Sequence, residues 1–139
     1  MGTKKAVNIE FDATQKAGGE EACVRQQLSG VRGKEKGDVV LLFSENWEGV
    51  EEEVHTTLFV KEDSVIVKRE GPVRTEMEFQ RDSDTMCEYE TGVGTLNFVI
   101  TTKELKILLT EDLISIRIAY EMFANGNPVS ENTLYVEAR

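Results

Sequence analysis

Few residues in this chain carry side chains that commonly bind metals. There are two cysteines, Cys23 and Cys87, and one histidine, His55. A structural zinc site needs four such ligands, usually in close pairs, and these three residues are dispersed. A single histidine could bind haem iron inside a barrel, but the alternate neighbours of His55, Thr57 and Lys61, indicate a solvated face. We therefore predict no metal and no cofactor, with Cys87 as a small core residue.

Pairs of carboxylates are the next candidates for chemistry. Glu76 and Glu78, and likewise Glu88 and Glu90, are two residues apart, which puts both members of a pair on one face of a strand. General acid–base catalysis needs a cleft that moves two carboxyl pKa values apart. Since these pairs belong to the polar side of alternating segments, we interpret them as a solvated outer face that deters aggregation.

Motifs for nucleophilic or phosphate chemistry are weak. The glycines of Gly92–Thr95 join two alternating segments and open no helix, so they do not fit a phosphate loop. No serine motif accompanies the single histidine. The sequence favours a protein without catalysis. An enzyme would need an unrecognised cluster around Tyr89, Tyr120, Arg81 or a buried acid.

Charge restricts the range of partners. The chain has 26 acidic and 16 basic residues, a formal charge of −10. Such a surface repels nucleic acid and anionic lipid, so we expect neither as a partner. We recognise neither a secretory signal nor an apolar segment of 18 residues that could form a transmembrane helix. We expect a cytoplasmic protein with free thiols, and a Cys23–Cys87 disulfide only if their strands are neighbours.

The positioning elements are β-strands. In the central segment Gly71–Leu105, Met77 and Phe79 alternate with polar residues, as do Cys87 and Tyr89 after a turn. Side chains of a strand point alternately to opposite faces, so these four are expected to face a core. The longest alternation is Ile114, Ile116, Ile118, Tyr120 and Met122, followed by Asn125-Gly126, a strong hairpin signal.

Three segments depart from simple alternation. The parity of apolar residues slips between Ile100 and Leu105, which predicts a bulge near Lys103 or, alternatively, a helical turn over Lys103–Leu109. The continuous apolar segment Val39–Phe43 predicts a strand covered on both faces. Gly30 and Gly33 are expected to loosen the end of the second strand. Ser44–Glu53 reads as an acidic loop, whose Trp47 we expect to pack over the barrel mouth or to contact a partner.

About ten alternating or apolar segments follow one another with turn signals between them, and no stretch has a helical period. This pattern is typical of a sandwich or barrel. Closure removes the exposed edges that so many strands would leave. We predict an all-β fold, an antiparallel meander barrel of eight to ten strands. One domain is expected over residues 6–139, with residues 1–5 as a polar leader that frays.

The central segment also resembles a known family. The residues that carry the resemblance are Gly71-Pro72-Val73, Met77, Phe79, Cys87–Thr91, Gly94, Leu96, Thr101-Thr102, Ile116–Tyr120 and the Asn-Gly hairpin. In their order and spacing they resemble the YwiB-like family of uncharacterised bacterial proteins, which is similar to the calycins, the lipocalin-like barrels. The resemblance implies a calycin-type barrel and no particular reaction.

Polar residues at apolar positions suggest where a function could lie. A solid core makes them costly unless each is hydrogen-bonded, whereas a hollow barrel uses them as ligand contacts. The candidates that would line the lumen are Gln26, Thr56, Thr75, Met77, Phe79, Tyr89, Thr102 and Tyr120. We expect a non-catalytic barrel that binds a small, largely apolar molecule. The alternative is an interaction module, monomeric or homodimeric, that uses an exposed edge or the Trp47 loop.

Overall fold

The computed structural model describes residues 4–47 and 49–139. Its elements are β1 (Lys5–Ala17), β2 (Glu20–Glu35), β3 (Asp38–Glu45), β4 (Val54–Val60), β5 (Ser64–Glu70), β6 (Arg74–Gln80), β7 (Asp84–Thr91), β8 (Gly94–Leu109), β9 (Ile114–Ala124) and β10 (Asn127–Ala138). Each strand pairs with the next in antiparallel fashion, and β10 pairs with β1 to close a barrel. The predicted antiparallel meander barrel of eight to ten strands is confirmed, and it has ten strands.

The two ends of the barrel have different connections. We call the end with the β1–β2, β3–β4, β5–β6, β7–β8 and β9–β10 connections the upper end, and the opposite end the lower end. The leader expected over residues 1–5 falls mostly on residues 1–3, outside the described part. Lys5 already belongs to β1. No helix among the described residues has the length and apolar character needed to cross a membrane.

Local sequence signals explain several turns and irregularities. Asn125 and Gly126 both have positive φ, 52° and 80°, as the two-residue hairpin turn requires. The β8–β9 ladder shifts register between Thr102 and Glu104, so the predicted bulge is present and the helical turn is not. The inward parity therefore changes at Lys103, and both halves of β8 keep an apolar face to the core.

The two glycines of the second strand lie in its last part, and β2 continues through them to Glu35. Gly30 is needed for close contact rather than flexibility, because a Cβ there would lie 2.5 Å from the carbonyl oxygen of Leu42. Beyond this contact β2 pairs with β3, from Val31 to Glu35 only.

Most of the core lies inside the barrel, in its middle and lower parts. Nine strands contribute buried apolar side chains to it, and Leu28 of β2 packs against it. Among the largest side chains that are fully buried are Phe79, Leu41, Leu58, Ile114 and Ile116. The segment Val39–Phe43 was expected to be covered on both faces. The coverage is incomplete, since Val40 is buried on the outside while Leu42 is 38% exposed.

Candidate functional site

A row of inward-facing residues crosses the upper part of the barrel. Residues directly opposite each other in an antiparallel ladder share a face. Thr56 lies opposite Arg69, Arg69 opposite Thr75, and Thr75 opposite Tyr89. Thr56, Arg69 and Thr75 are all buried. Four successive strands therefore place polar side chains in the interior at one level.

The centre of this row is a buried ion pair. The Nε atom of Arg69 donates to Oε2 of Glu45 at 2.9 Å, and Glu45 is only 2% exposed. The hydroxyl of Thr56 donates to the same carboxylate oxygen. The indole Nε1 of Trp47 lies 3.4 Å from the other oxygen, Oε1. Three donors thus satisfy a carboxylate that would otherwise be very costly to bury.

The guanidinium of Arg69 also packs between two aromatic rings. Its Cζ lies 5.4 Å from the ring centre of Trp47 and 5.9 Å from that of Phe11. Such positions are favourable for a cation over a ring. Because Phe11 belongs to β1 and Arg69 to β5, the contact spans the barrel interior. We call Glu45, Trp47, Thr56 and Arg69 the ion-pair cluster.

Two tyrosines border the ion-pair cluster. The ring of Tyr120 packs on Phe79 with centroids 4.7 Å apart, and that of Tyr89 meets Phe98 edge-on at 5.7 Å. Burial raises the pKa of both phenols, and the charge of Arg69 opposes the shift. Both hydroxyls are therefore protonated at neutral pH and able to donate a hydrogen bond.

Two further polar residues lie nearby. The hydroxyl of Thr75 and Sγ of Cys87 are 3.3 Å apart. Burial raises the pKa of the Cys87 thiol above its ordinary value, so this cysteine is not an activated nucleophile. Thr102 is also buried, and its Oγ1 atom has no hydrogen-bond partner among the described residues.

Comparison with known proteins places the chain in a family. Residues 9–136 match the family described as a domain of unknown function, DUF1934. The chain belongs to the DUF1934 family. A search of the curated proteins finds no match. The structure is similar to the crystal structure of the YwiB protein from Bacillus subtilis, with a TM-score of 0.87 and 20% sequence identity over 98% of this chain and 92% of that one. At that identity the similarity concerns the fold, and it confirms the YwiB-like barrel.

In this DUF1934 protein the residues proposed from sequence are found in three environments. Met77 and Phe79 belong to the packed core. Thr56, Thr75 and Thr102 are buried beside it. The remaining three, Gln26, Tyr89 and Tyr120, are partly exposed towards the upper end.

Sequence reasoning missed the two charged residues of the ion-pair cluster. Glu45 was assigned to an acidic loop, although it continues the parity of Leu41 and Phe43. Arg69 was not among the candidates, although it continues the parity of Val67. In both cases the alternation carries on for one more residue, and that is the signal that identifies them.

Other candidates lie outside this region. His55 is exposed and its Nδ1 lies 3.1 Å from the hydroxyl of Ser44. Cys23 is exposed on β2, away from buried Cys87 on β7, and both are free thiols. Within the described ranges, no three His, Cys, Asp or Glu side chains are grouped to hold a metal ion.

An open groove of about 630 Å³ runs along β5, β6 and β7, and its lining reaches inward-facing Arg69 and Thr75. Its outward-facing lining includes Lys68, Arg74, Glu76 and Glu88. Glu76 lies directly opposite Glu88, a repulsive arrangement in a β-ladder. The groove is polar and open to solvent, and it does not suit an apolar ligand.

Proposed function

We propose that this protein is a cytoplasmic, non-catalytic barrel that binds a small, largely apolar molecule at the upper end of its lumen. The observation that carries the proposal is the ion-pair cluster itself. A barrel interior that served stability alone would gain by replacing a buried Glu–Arg pair with apolar residues of similar volume. Retaining the charges beside two protonated tyrosines is consistent with polar recognition of one end of a ligand.

The inward-facing residues around the ion-pair cluster supply an apolar wall. Leu28, Tyr89 and Phe98 are partly buried against the core. Val24, opposite Ala13, is 50% exposed, and Leu96, opposite Tyr89, is 57% exposed. A molecule placed there would remove apolar surface from water while its polar group reached the tyrosines or Arg69. The packed lower core limits its size.

The chemistry of the side chains supports binding rather than catalysis. Glu45 already accepts hydrogen bonds from Arg69 and Thr56, so it is poorly placed to remove a proton. Cys87 and the tyrosines are held protonated, and His55 is on the surface. The occupied carboxylate of Glu45 and the raised pKa values of the cysteine and tyrosines therefore favour binding over catalysis.

The test is a fluorescence titration with N-phenyl-1-naphthylamine, a neutral apolar probe. We expect saturable binding to the wild type. Leu96→Gln, at the inner wall, should weaken it at least severalfold. Leu108→Gln is the matched control, because Leu108 lies on the same strand with a similar exposure of 54% but faces outwards. No saturable binding, or equal loss in both variants, would contradict the proposal.

A further inference from the structure

The longest open strand edge in the described part of the barrel belongs to β2. β2 pairs with β1 from Glu20 to Arg32 but with β3 only from Val31 to Glu35. Its segment Glu20–Gly30 therefore has no second neighbouring strand among the described residues. We call this segment the β2 edge. An unpaired edge presents backbone donors and acceptors that can template pairing with another strand.

The outer face of the β2 edge carries an ordered charge pattern. Arg25 lies 3.9 Å from Asp12 of β1, and Glu21 lies 4.0 Å from Lys16. Between these two pairs the Sγ atom of Cys23 lies 3.6 Å from the hydroxyl of Thr14. In the pair nearer the upper end the acidic residue is on β2 and the basic residue is on β1. In the other pair the basic residue is on β2 and the acidic residue is on β1.

We propose that a second copy of this chain pairs antiparallel with the β2 edge about a two-fold axis at Cys23. In this register Cys23 lies opposite the partner's Cys23, and Glu21 lies opposite the partner's Arg25. By symmetry Arg25 lies opposite the partner's Glu21. In each half of the interface four side chains then lie side by side across the joined strands. They are Lys16, Glu21, the partner's Arg25 and the partner's Asp12, and their charges alternate.

Side-chain parity and charge together select this register. A two-fold axis perpendicular to the joint sheet keeps outward residues opposite outward residues, so the axis must pass through a residue position. Moving it to Arg25 would place two arginines opposite each other. Moving it to Val24 would leave Glu21 without a basic residue opposite. On the inner face the proposed register sets Ala22 opposite the partner's Val24, and so covers a valine that is 50% exposed.

The first experiment measures association by sedimentation equilibrium under reducing conditions. The wild type is expected to be a dimer. Glu21→Arg and Arg25→Glu each place like charges opposite each other twice, so each should weaken dimerisation by roughly tenfold or more. The doubly substituted chain E21R/R25E restores opposite charges and should dimerise again. An equimolar mixture of the two single variants should form a heterodimer.

The second experiment tests the register directly. Residues directly opposite in an antiparallel ladder have Cα atoms about 4.5–5.5 Å apart, within the range that a disulfide spans. Diamide, which accepts the two hydrogens of a thiol pair, should link Cys23 to the partner's Cys23 in the wild type and in C87S, and should fail in C23S. Cys23 is exposed and free, so the thiol is accessible.

The outcomes separate the alternatives. A monomeric wild type at all concentrations, whether or not the β2 edge binds an extended peptide, would overturn the proposal. So would a dimer that is insensitive to both charge reversals, because it would use another face. Recovery in E21R/R25E together with the Cys23 cross-link would establish the pairing.

Discussion

The lower and upper halves of the barrel are built from the same alternating strands but enclose different interiors. In the lower half the inward positions of β4 and β5 are apolar, and Leu58, Val60, Val65 and Val67 are 0–1% exposed. Thr56 and Arg69 occupy the next inward positions towards the upper end of the same strands. They are also buried, but they are polar. The alternation of the sequence determines which face of a strand is buried. The residue types at the buried positions determine whether the interior is apolar or offers polar groups.

The difference teaches that enclosure in this barrel serves two purposes. The lower half gains free energy from removing apolar surface from water. The upper half must first offset the cost of removing Glu45 and Arg69 from water, which it does by hydrogen bonds and aromatic contacts. The two halves should therefore respond differently when one side chain is changed.

The largest effect is expected from breaking the ion pair on one side. Arg69→Met leaves the carboxylate of Glu45 buried without its counter-charge, and should lower the free energy of unfolding by about 3–5 kcal/mol. Urea unfolding followed by circular dichroism measures it. The double variant E45Q/R69M should recover much of this loss. If Arg69→Met cost less than the double variant, the two side chains would not act as a pair.

A comparable effect is expected from a cavity in the lower half. Leu58 is fully buried, so Leu58→Ala should destabilise the protein by about 2–5 kcal/mol through lost contacts and an unfilled space. The same urea titration applies. Unlike changes at the upper end, this substitution should leave the affinity for N-phenyl-1-naphthylamine unchanged. A parallel loss of affinity would show that the two halves are not independent.

Much of this division was accessible from sequence, and the reasons for the exceptions are physical. Met77 and Phe79 were assigned to the core because alternation reports the face of a strand directly. The ion pair was not foreseen because its partners are 24 residues apart in the chain and meet only through the pairing of β3, β4 and β5. Charged residues at strand ends are ordinarily solvated, so parity alone did not outweigh their type.

The open edge was hidden for a different reason. The glycines of β2 were expected to loosen the end of the strand, since glycine weakens a strand interior. Gly30 instead permits the close approach to Leu42 that lets β2 continue beyond the crossing. Whether a strand has one neighbour or two depends on register across the whole barrel, and residues near one turn do not determine it.

A smaller difference is expected between two buried threonines. Thr56→Val removes a hydrogen bond to the carboxylate of Glu45 and should cost about 1.5–3 kcal/mol of stability. Thr102→Val removes a hydroxyl that has no partner among the described residues, and should be neutral or slightly stabilising. Thermal and urea unfolding of the matched pair measure the contrast. Equal changes in the two variants would contradict a stabilising hydrogen bond from Thr56 to Glu45.

Substitution of Tyr120 should have the smallest effect on the free energy of unfolding at neutral pH, and the effect should grow in alkaline solution. Burial raises its pKa above the unfolded value of about 10, so above that pH the unfolded state loses a proton that the folded state keeps. Stability due to this group is therefore complete below pH 10 and decreases as the pH rises, by up to about 1.4 kcal/mol per pH unit.

Tyr120→Phe removes this dependence. The difference in unfolding free energy between the wild type and Y120F should thus be constant up to pH 10 and shift in favour of the variant above it. Urea titrations from pH 8 to pH 11 measure this difference, and subtraction cancels the general effect of rising negative charge on a chain that already carries a formal charge of −10. A difference independent of pH would mean that the phenol at the upper end is as well hydrated as in the unfolded chain, and the upper half would then be open to water rather than enclosed.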